Sequence, residues 1–209
     1  HYTKQQIKLE SDYVYKLTPK FHVGAALNVR YTYLSEIGDV SYLEGQETSY
    51  FFTGLGVSLC YDSRDFIPNP KRGLYIMLKE IIYPAPFGTG GRNIFSTTFI
   101  ADYYQPLWKG CIAAIDLYGQ YNGTDVPWPL RPELGAGGMR MRGYYGGRYI
   151  DNNIMSAQVE LRQHLYKRWG VVAWVGCGTV FPSFDALRAS QLLLNYGVGV
   201  RFEFKHNVN

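Results

Sequence analysis

Taken two residues at a time, the chain sorts apolar from polar positions over nearly its whole length. Between Leu192 and Phe204 one parity holds Leu192, Leu194, Tyr196, Val198, Val200, Phe202 and Phe204, and the other holds Asn195, Gly197, Gly199, Arg201 and Glu203. From Ile154 onward, Met155, Ala157, Val159, Leu161 and Leu165 alternate with Ser156, Gln158, Glu160, Arg162 and His164. Ala113, Ile115, Leu117 and Tyr121 oppose Asp116, Gln120 and Asn122, while Phe95, Thr97, Phe99, Ala101 and Tyr103 oppose Ser96, Thr98 and Asp102. The same split separates Phe51, Leu55, Val57, Leu59 and Tyr61 from Gly54, Gly56, Ser58 and Asp62. It also separates Val23, Ala25, Leu27, Val29, Tyr31 and Tyr33 from His22, Gly24, Asn28, Arg30 and Thr32. Strand side chains alternate between two faces, so this period predicts β-strands with one apolar and one polar face. A weaker first strand is expected near Ile7 to Leu17.

Alternation alone fits a soluble sandwich as well as a membrane barrel, because both have one apolar and one polar face. Strand length and loop asymmetry favour the barrel. The strands run to roughly ten residues, longer than the five or six usual in globular proteins. Tight turns such as Thr18-Pro19-Lys20 and Lys167-Arg168-Trp169-Gly170 alternate with long connections at Ser35 to Ser49, Pro84 to Arg92, Gly123 to Asn153 and Pro182 to Gln191. Short turns on one rim and long loops on the other are what an all-β, antiparallel, up-and-down transmembrane β-barrel has. The pattern gives nine strands and the start of a tenth. Because such barrels close with an even number of strands, residues 1–209 are expected to be a partial barrel domain with its closing strands beyond Asn209.

Composition narrows the choice. Hydrophobic residues make up 46% of the chain and charged residues 18%, yet no apolar run reaches the roughly 18 to 20 residues of a membrane helix. The 19 Tyr, 11 Phe and 4 Trp suit the two water-lipid boundaries of a barrel, although tyrosine suits soluble sheets too. A net charge of +4 without a Lys/Arg cluster argues against nucleic-acid binding. Cys60, Cys111 and Cys177 lie far apart with no CxxC spacing, so neither a metal site nor a disulfide scaffold is expected.

Candidate chemistry concentrates in the longest connection. Gly135 to Tyr149 reads Gly-Ala-Gly-Gly-Met-Arg-Met-Arg-Gly-Tyr-Tyr-Gly-Gly-Arg-Tyr. Its glycines permit positive φ and close backbone approach. Two readings of its arginines stand: they face water as surface charges, or the loop packs back into a polar lumen where a guanidinium needs a carboxylate such as inward Glu160. Asp62-Ser63-Arg64-Asp65 before Pro68-Asn69-Pro70 has the residues of a hairpin turn, and catalysis there is the minor reading. Ser156, Glu160 and His164 share a strand face, but residues four apart on a strand lie about 13 Å apart, too far for a nucleophile and its base. Gly88-Thr89-Gly90-Gly91 precedes a strand, which argues for a flexible loop over a phosphate-binding turn.

Met141-Arg142-Gly143-Tyr144 resembles the Val/Ile-Arg-Gly-Phe/Tyr motif of the BamA/TamA family, also called bacterial surface antigen proteins. Tyr61-Asp62-Ser63-Arg64-Asp65 through Pro68-Asn69-Pro70 to Arg72-Gly73 resembles that family's hairpin between two barrel strands. Val159-Glu160-Leu161 and Gly178-Thr179-Val180-Phe181 resemble the two strands after its loop. The resemblance spans about Phe51 to Phe204. It implies a sixteen-stranded barrel in the bacterial outer membrane whose lumen-inserted loop pairs Arg142 with Glu160. The family often has an acidic residue two positions before the Gly-Thr-Val, and here that position is Gly176. Residues 1–209 themselves hold no POTRA-like αβ repeat.

The resemblance further implies a non-enzymatic protein, without cofactor or metal, that assembles, inserts or translocates other outer-membrane proteins. Its partners would be outer-membrane lipids, client proteins and accessory assembly subunits. A passive pore and a barrel that anchors a separate enzyme domain are the alternatives.

Overall fold

A computed structural model describes residues 3–35, 47–123, 126–135, 138 and 140–203. Nine strands form one antiparallel sheet in chain order: β1 (Thr3–Lys16), β2 (Phe21–Ser35), β3 (Ser49–Asp62), β4 (Gly73–Tyr83), β5 (Ile94–Trp108), β6 (Cys111–Asn122), β7 (Asn153–Tyr166), β8 (Trp169–Phe181) and β9 (Leu193–Phe202). Every neighbour in sequence is a neighbour in the sheet, the topology of an up-and-down barrel wall. Among the described residues β1 and β9 do not pair with each other. The expected start of a tenth strand, and Phe204 with it, lies outside the described residues.

The strands are 10 to 15 residues long, so tilted strands of this length can cross a hydrocarbon layer. The first strand begins earlier than the alternation indicates, at Thr3, because its register is set by pairing with β2 from Thr3 opposite Ser35 to Lys16 opposite His22. The β7–β8 turn is tighter than its sequence suggests: Trp169 already pairs with Tyr166, and Lys167 takes the left-handed conformation at φ 52°.

Which face is wet decides between sandwich and barrel. On β9, Leu194 is 67% exposed and Val198 81%, whereas Asn195 is 5% exposed. Leu55, Val57 and Leu59 of β3 and Val175 of β8 are likewise exposed, while Asn28, Thr32, Ser96 and Glu160 are buried. The sheet therefore turns its apolar face outward and its polar face inward, the inverse of a soluble core and the arrangement of a wall in lipid.

Among the described residues the interior holds two small apolar clusters. Tyr50, Phe52, Tyr83, Ile94, Val126 and Leu130 form one, with Tyr50 stacked on Phe52 and Tyr83 edge-on to Phe52. Leu134, Met141 and Ile154 form the other. Both join the inner face of the sheet to the β6–β7 connection, so the apolar interior is made by that loop packing on the wall.

Candidate functional site

The β6–β7 loop leaves the wall at an asparagine clamp. Asn122 N–H donates to Asn153 Oδ1 at 2.9 Å, and Asn122 Nδ2 donates to the Asn152 carbonyl at 2.6 Å. Asn152 Oδ1 accepts from Val126 N–H at 2.9 Å, and Asn153 Nδ2 donates to the carbonyls of Phe181 and Pro182 at 3.1 and 2.9 Å. These side chains are buried, and their amides give the loop's backbone the partners that water would otherwise supply.

From this stem the loop reaches both flanks of the sheet. Arg30 of β2 donates to the Pro129 carbonyl, and Lys4 of β1 lies 3.7 Å from Glu133. At the other side Tyr144 Oη donates to the Leu194 carbonyl of β9 at 2.8 Å. One loop thus touches β1, β2 and β9.

The Met141-Arg142-Gly143-Tyr144 motif is the loop's attachment to β7–β9. Met141 (φ 50°) and Gly143 (φ 93°) both take the left-handed region, and between these two turns the Arg142 side chain meets the wall. Its Nη2 donates to Glu160 Oε2 at 2.8 Å, and its guanidinium stacks 4.4 Å from the Trp174 ring centre. Met141 is buried, with its sulfur over Gly178, where a Cβ would come within 2.9 Å of it. Gly178, the glycine of the Gly-Thr-Val strand, thus makes room for the motif.

Glu160 is the hub. Besides Arg142, Arg162 Nε donates to its Oε1 at 2.7 Å, and Arg201 Nη1 lies 3.7 Å from the same oxygen. Arg162 and Arg201 carry the inward parity of their strands, but nothing local in the sequence marks them as partners of Glu160. Gly176 brings no carboxylate to this cluster; a Cβ there would lie 2.5 Å from Asn195 Oδ1, so the Asn195 side chain fills the space.

A second ion pair sits one arginine earlier. Arg140 donates from Nε and Nη2 to Asp116 Oδ1 and Oδ2 at 2.7 and 2.6 Å, a bidentate fork, and stacks 4.5 Å from the Tyr118 ring centre. Asp116 pairs in register with Asp102 of β5, so two carboxylates face the lumen side by side. The inward parity of both aspartates is readable in the sequence; their adjacency depends on strand register and is not.

The β3–β4 hairpin is self-contained. Asp62 accepts from the backbone N–H of Arg64 at 3.0 Å and from its Nε and Nη2 at 2.9 and 2.7 Å, and Arg64 stacks 4.3 Å from the Tyr75 ring centre. Asp65 Oδ1 accepts from the N–H groups of Phe66, Lys71 and Arg72 at 2.9, 2.9 and 3.3 Å. Partial burial pushes the Asp65 carboxyl up, but these N–H donors outweigh it and hold the group below its usual range. Gly73 closes the hairpin at φ 119°, and a Cβ there would lie 2.5 Å from the Ser63 carbonyl oxygen. The tip reaches β9, where Arg201 Nη2 donates to Asn69 Oδ1 at 3.2 Å. These carboxylates are spent on turn geometry.

The remaining candidates fall away for visible reasons. Glu160 is bound by arginines, and His164 Nε2 lies 2.8 Å from the Lys167 carbonyl, directed away from Ser156. Thr89 fastens the Gly88–Gly91 segment to β3, its Oγ1 accepting from Phe51 N–H at 2.9 Å.

An antiparallel up-and-down wall with a lipid-suited outer face and a polar inner face, to which the β6–β7 loop is ion-paired, is that of an outer-membrane β-barrel. The chain belongs to the Omp85 superfamily, whose domain matches residues 1–205, and so to the bacterial outer membrane. Among solved structures, a crystal structure of BamA from Haemophilus ducreyi lacking POTRA domains 1-3 is similar, with a TM-score of 0.74 and 13% identity over 97% of this chain and 49% of that one. CdiB from Acinetobacter baumannii is similar with a TM-score of 0.62 and 15% identity, over 97% of this chain and 36% of that one. The chain thus spans half or less of the length of these relatives. No curated protein matches it.

Proposed function

We propose that the intact protein inserts other β-rich proteins into the outer membrane, or translocates them across it, through this barrel and without covalent chemistry. The observation that carries the reading is the Arg142–Glu160 hydrogen bond, which ties the β6–β7 loop to the inner face of the wall and supports a loop held across the lumen. A barrel whose interior is occupied by an ion-paired loop is ill suited to free diffusion of solutes. Membership of the Omp85 superfamily and the resemblance to BamA/TamA proteins support the same reading. The work would fall to strand edges, whose unpaired N–H and C=O groups can template an incoming strand. Clients and accessory subunits are the partners this implies.

The test is reconstitution of the full-length protein in liposomes with an unfolded β-barrel client. Folding of the client, followed by its heat-modifiable migration, is expected to accelerate, and the Arg142→Ala protein is expected to lose most of that gain. Client folding at the same rate with and without the protein defeats the proposal. A steady ionic conductance in planar bilayers, with no effect on clients, would assign a pore instead.

A further inference from the structure

The two rims of the wall differ in charge. Each of the four turns on one rim carries exposed cations: Lys16 and Lys20 at β1–β2, Lys71 and Arg72 at β3–β4, Lys109 at β5–β6, and Lys167 and Arg168 at β7–β8. The exposed acid among the described residues of these turns is Asp65, and its Oδ1 is taken up by three backbone N–H groups. On the opposite rim the described exposed charges are of both signs, with Arg92, Arg148 and Arg188 beside Glu47 and Asp185.

The cations of the turn rim sit against exposed aromatic residues. Trp108 is 61% exposed and Trp169 53%; Trp108 Nε1 donates to Gln163 Oε1 at 2.9 Å, and Trp169 packs edge-on against Phe202. Lys167 Nζ lies 5.1 Å from the Tyr166 ring centre. Trp108 and Trp169 both line a cavity of about 540 Å³ at this rim, together with Lys71, Lys167 and Arg168. Its inner lining holds Arg162 and Arg201, which Glu160 engages, so the exposed cations at its mouth are Lys71, Lys167 and Arg168. Indole rings at the water-lipid boundary beside lysine and arginine suit a lipid whose chains lie along the wall and whose phosphate sits at its edge.

We propose that the basic turns of this rim, with Trp108 and Trp169 beside them, bind the headgroup of an anionic phospholipid from the membrane leaflet on the turn side. Charge complementarity selects the anionic headgroup over a zwitterionic one, and the exposed apolar wall beside Trp108 and Trp169 selects a lipid over a soluble anion. An exposed basic side chain at an anionic membrane surface contributes roughly fivefold in binding, so several together give a marked preference.

The full-length protein in detergent micelles is titrated with phosphatidylglycerol or phosphatidylcholine brominated in the acyl chains, and tryptophan quenching is read. Trp128 and Trp174 lie on the interior side, and the quenching lost in W108F/W169F is the part that reports on this rim. The expected result is a roughly tenfold preference for phosphatidylglycerol at low salt that fades as ionic strength approaches about 1 M, where screening reaches within about 3 Å. In K167Q/R168Q the preference is expected to fall toward one, and in K167R/R168K to return. Should the glutamine variant fail to fold, judged by heat-modifiable migration, the salt titration of the unaltered protein decides alone. Equal quenching by the two lipids, a salt-independent preference, or a preference undiminished in a folded K167Q/R168Q protein overturns the proposal. So does retention of an acidic soluble protein on this rim without lipid selectivity.

Discussion

Arg142 donates to Glu160 at 2.8 Å, yet the carboxylate that receives it is already held by Arg162 at 2.7 Å from the same strand. The two ends of this ion pair are therefore not equivalent. Removing Arg142 leaves Glu160 neutralised by Arg162 and Arg201, whereas removing the Glu160 charge leaves three guanidiniums crowded together. Arg142→Ala is expected to cost about 1–2 kcal/mol, the worth of one partly exposed charged hydrogen bond. Glu160→Gln is expected to cost about 3–5 kcal/mol, the penalty for breaking a buried ionic cluster. Urea unfolding in detergent, followed by tryptophan fluorescence, checks the order; equal losses would mean that Arg142 carries the cluster by itself.

Arg140 stands between two carboxylates that are register partners, Asp102 and Asp116. Arg140→Gln is expected to destabilise the barrel by about 1–3 kcal/mol, because it takes the bidentate partner from Asp116 and leaves that carboxylate facing Asp102. Adding Asp102→Asn to that variant is expected to recover most of the loss. Thermal midpoints of the single and double variants measure the coupling, and no recovery would show that the aspartates do not repel.

Gly73 and Gly90 both have positive φ, but they differ in what surrounds them. A Cβ on Gly73 meets the Ser63 carbonyl oxygen at 2.5 Å, and one on Gly90 meets nothing within 4 Å. Gly73→Ala is expected to lose about 1–3 kcal/mol to strain, with a further loss from the clash, and Gly90→Ala is expected to lose less. Folding yield into detergent and unfolding midpoints compare the two.

The Asp65 carboxyl titrates below the 3.8 of an unperturbed aspartate. A group depressed in the folded state contributes its stabilisation fully above its unfolded pKa and loses it as pH falls through the folded value. The hairpin is therefore expected to be insensitive to pH from neutrality down to about 5 and to loosen only under acid conditions below about 4. Amide exchange at Lys71 and Arg72 is the readout, and Asp65→Asn should exchange faster at neutral pH and show little further change in acid.

The strands were legible because lipid and lumen impose a two-residue period on β2, β3, β5, β6, β7 and β9. β4 shows where that signal fails. Tyr75, Met77, Ile81 and Tyr83 lie on the parity of Lys79, and Leu74, Ile76, Leu78 and Ile82 on that of Glu80, so both faces read as apolar. Register with β3 and β5 is what turns Glu80 outward, where Thr97 Oγ1 donates to its carboxylate. Arg142 and Glu160 were legible together through a family resemblance. Arg162, Arg201 and the Arg140–Asp116 pair were not, because their meeting depends on which strand residues stand opposite one another and on the path of a thirty-residue loop, and neither leaves a local periodic trace.

The three-to-one ratio of guanidinium to carboxylate at Glu160 has a mechanical consequence. When Arg142 departs, Arg162 and Arg201 remain to satisfy the vacated acid, so no bare anion is stranded to resist the movement. The acid on the wall is thus balanced by the wall's own two cations, and the charge the loop brings is surplus to that balance.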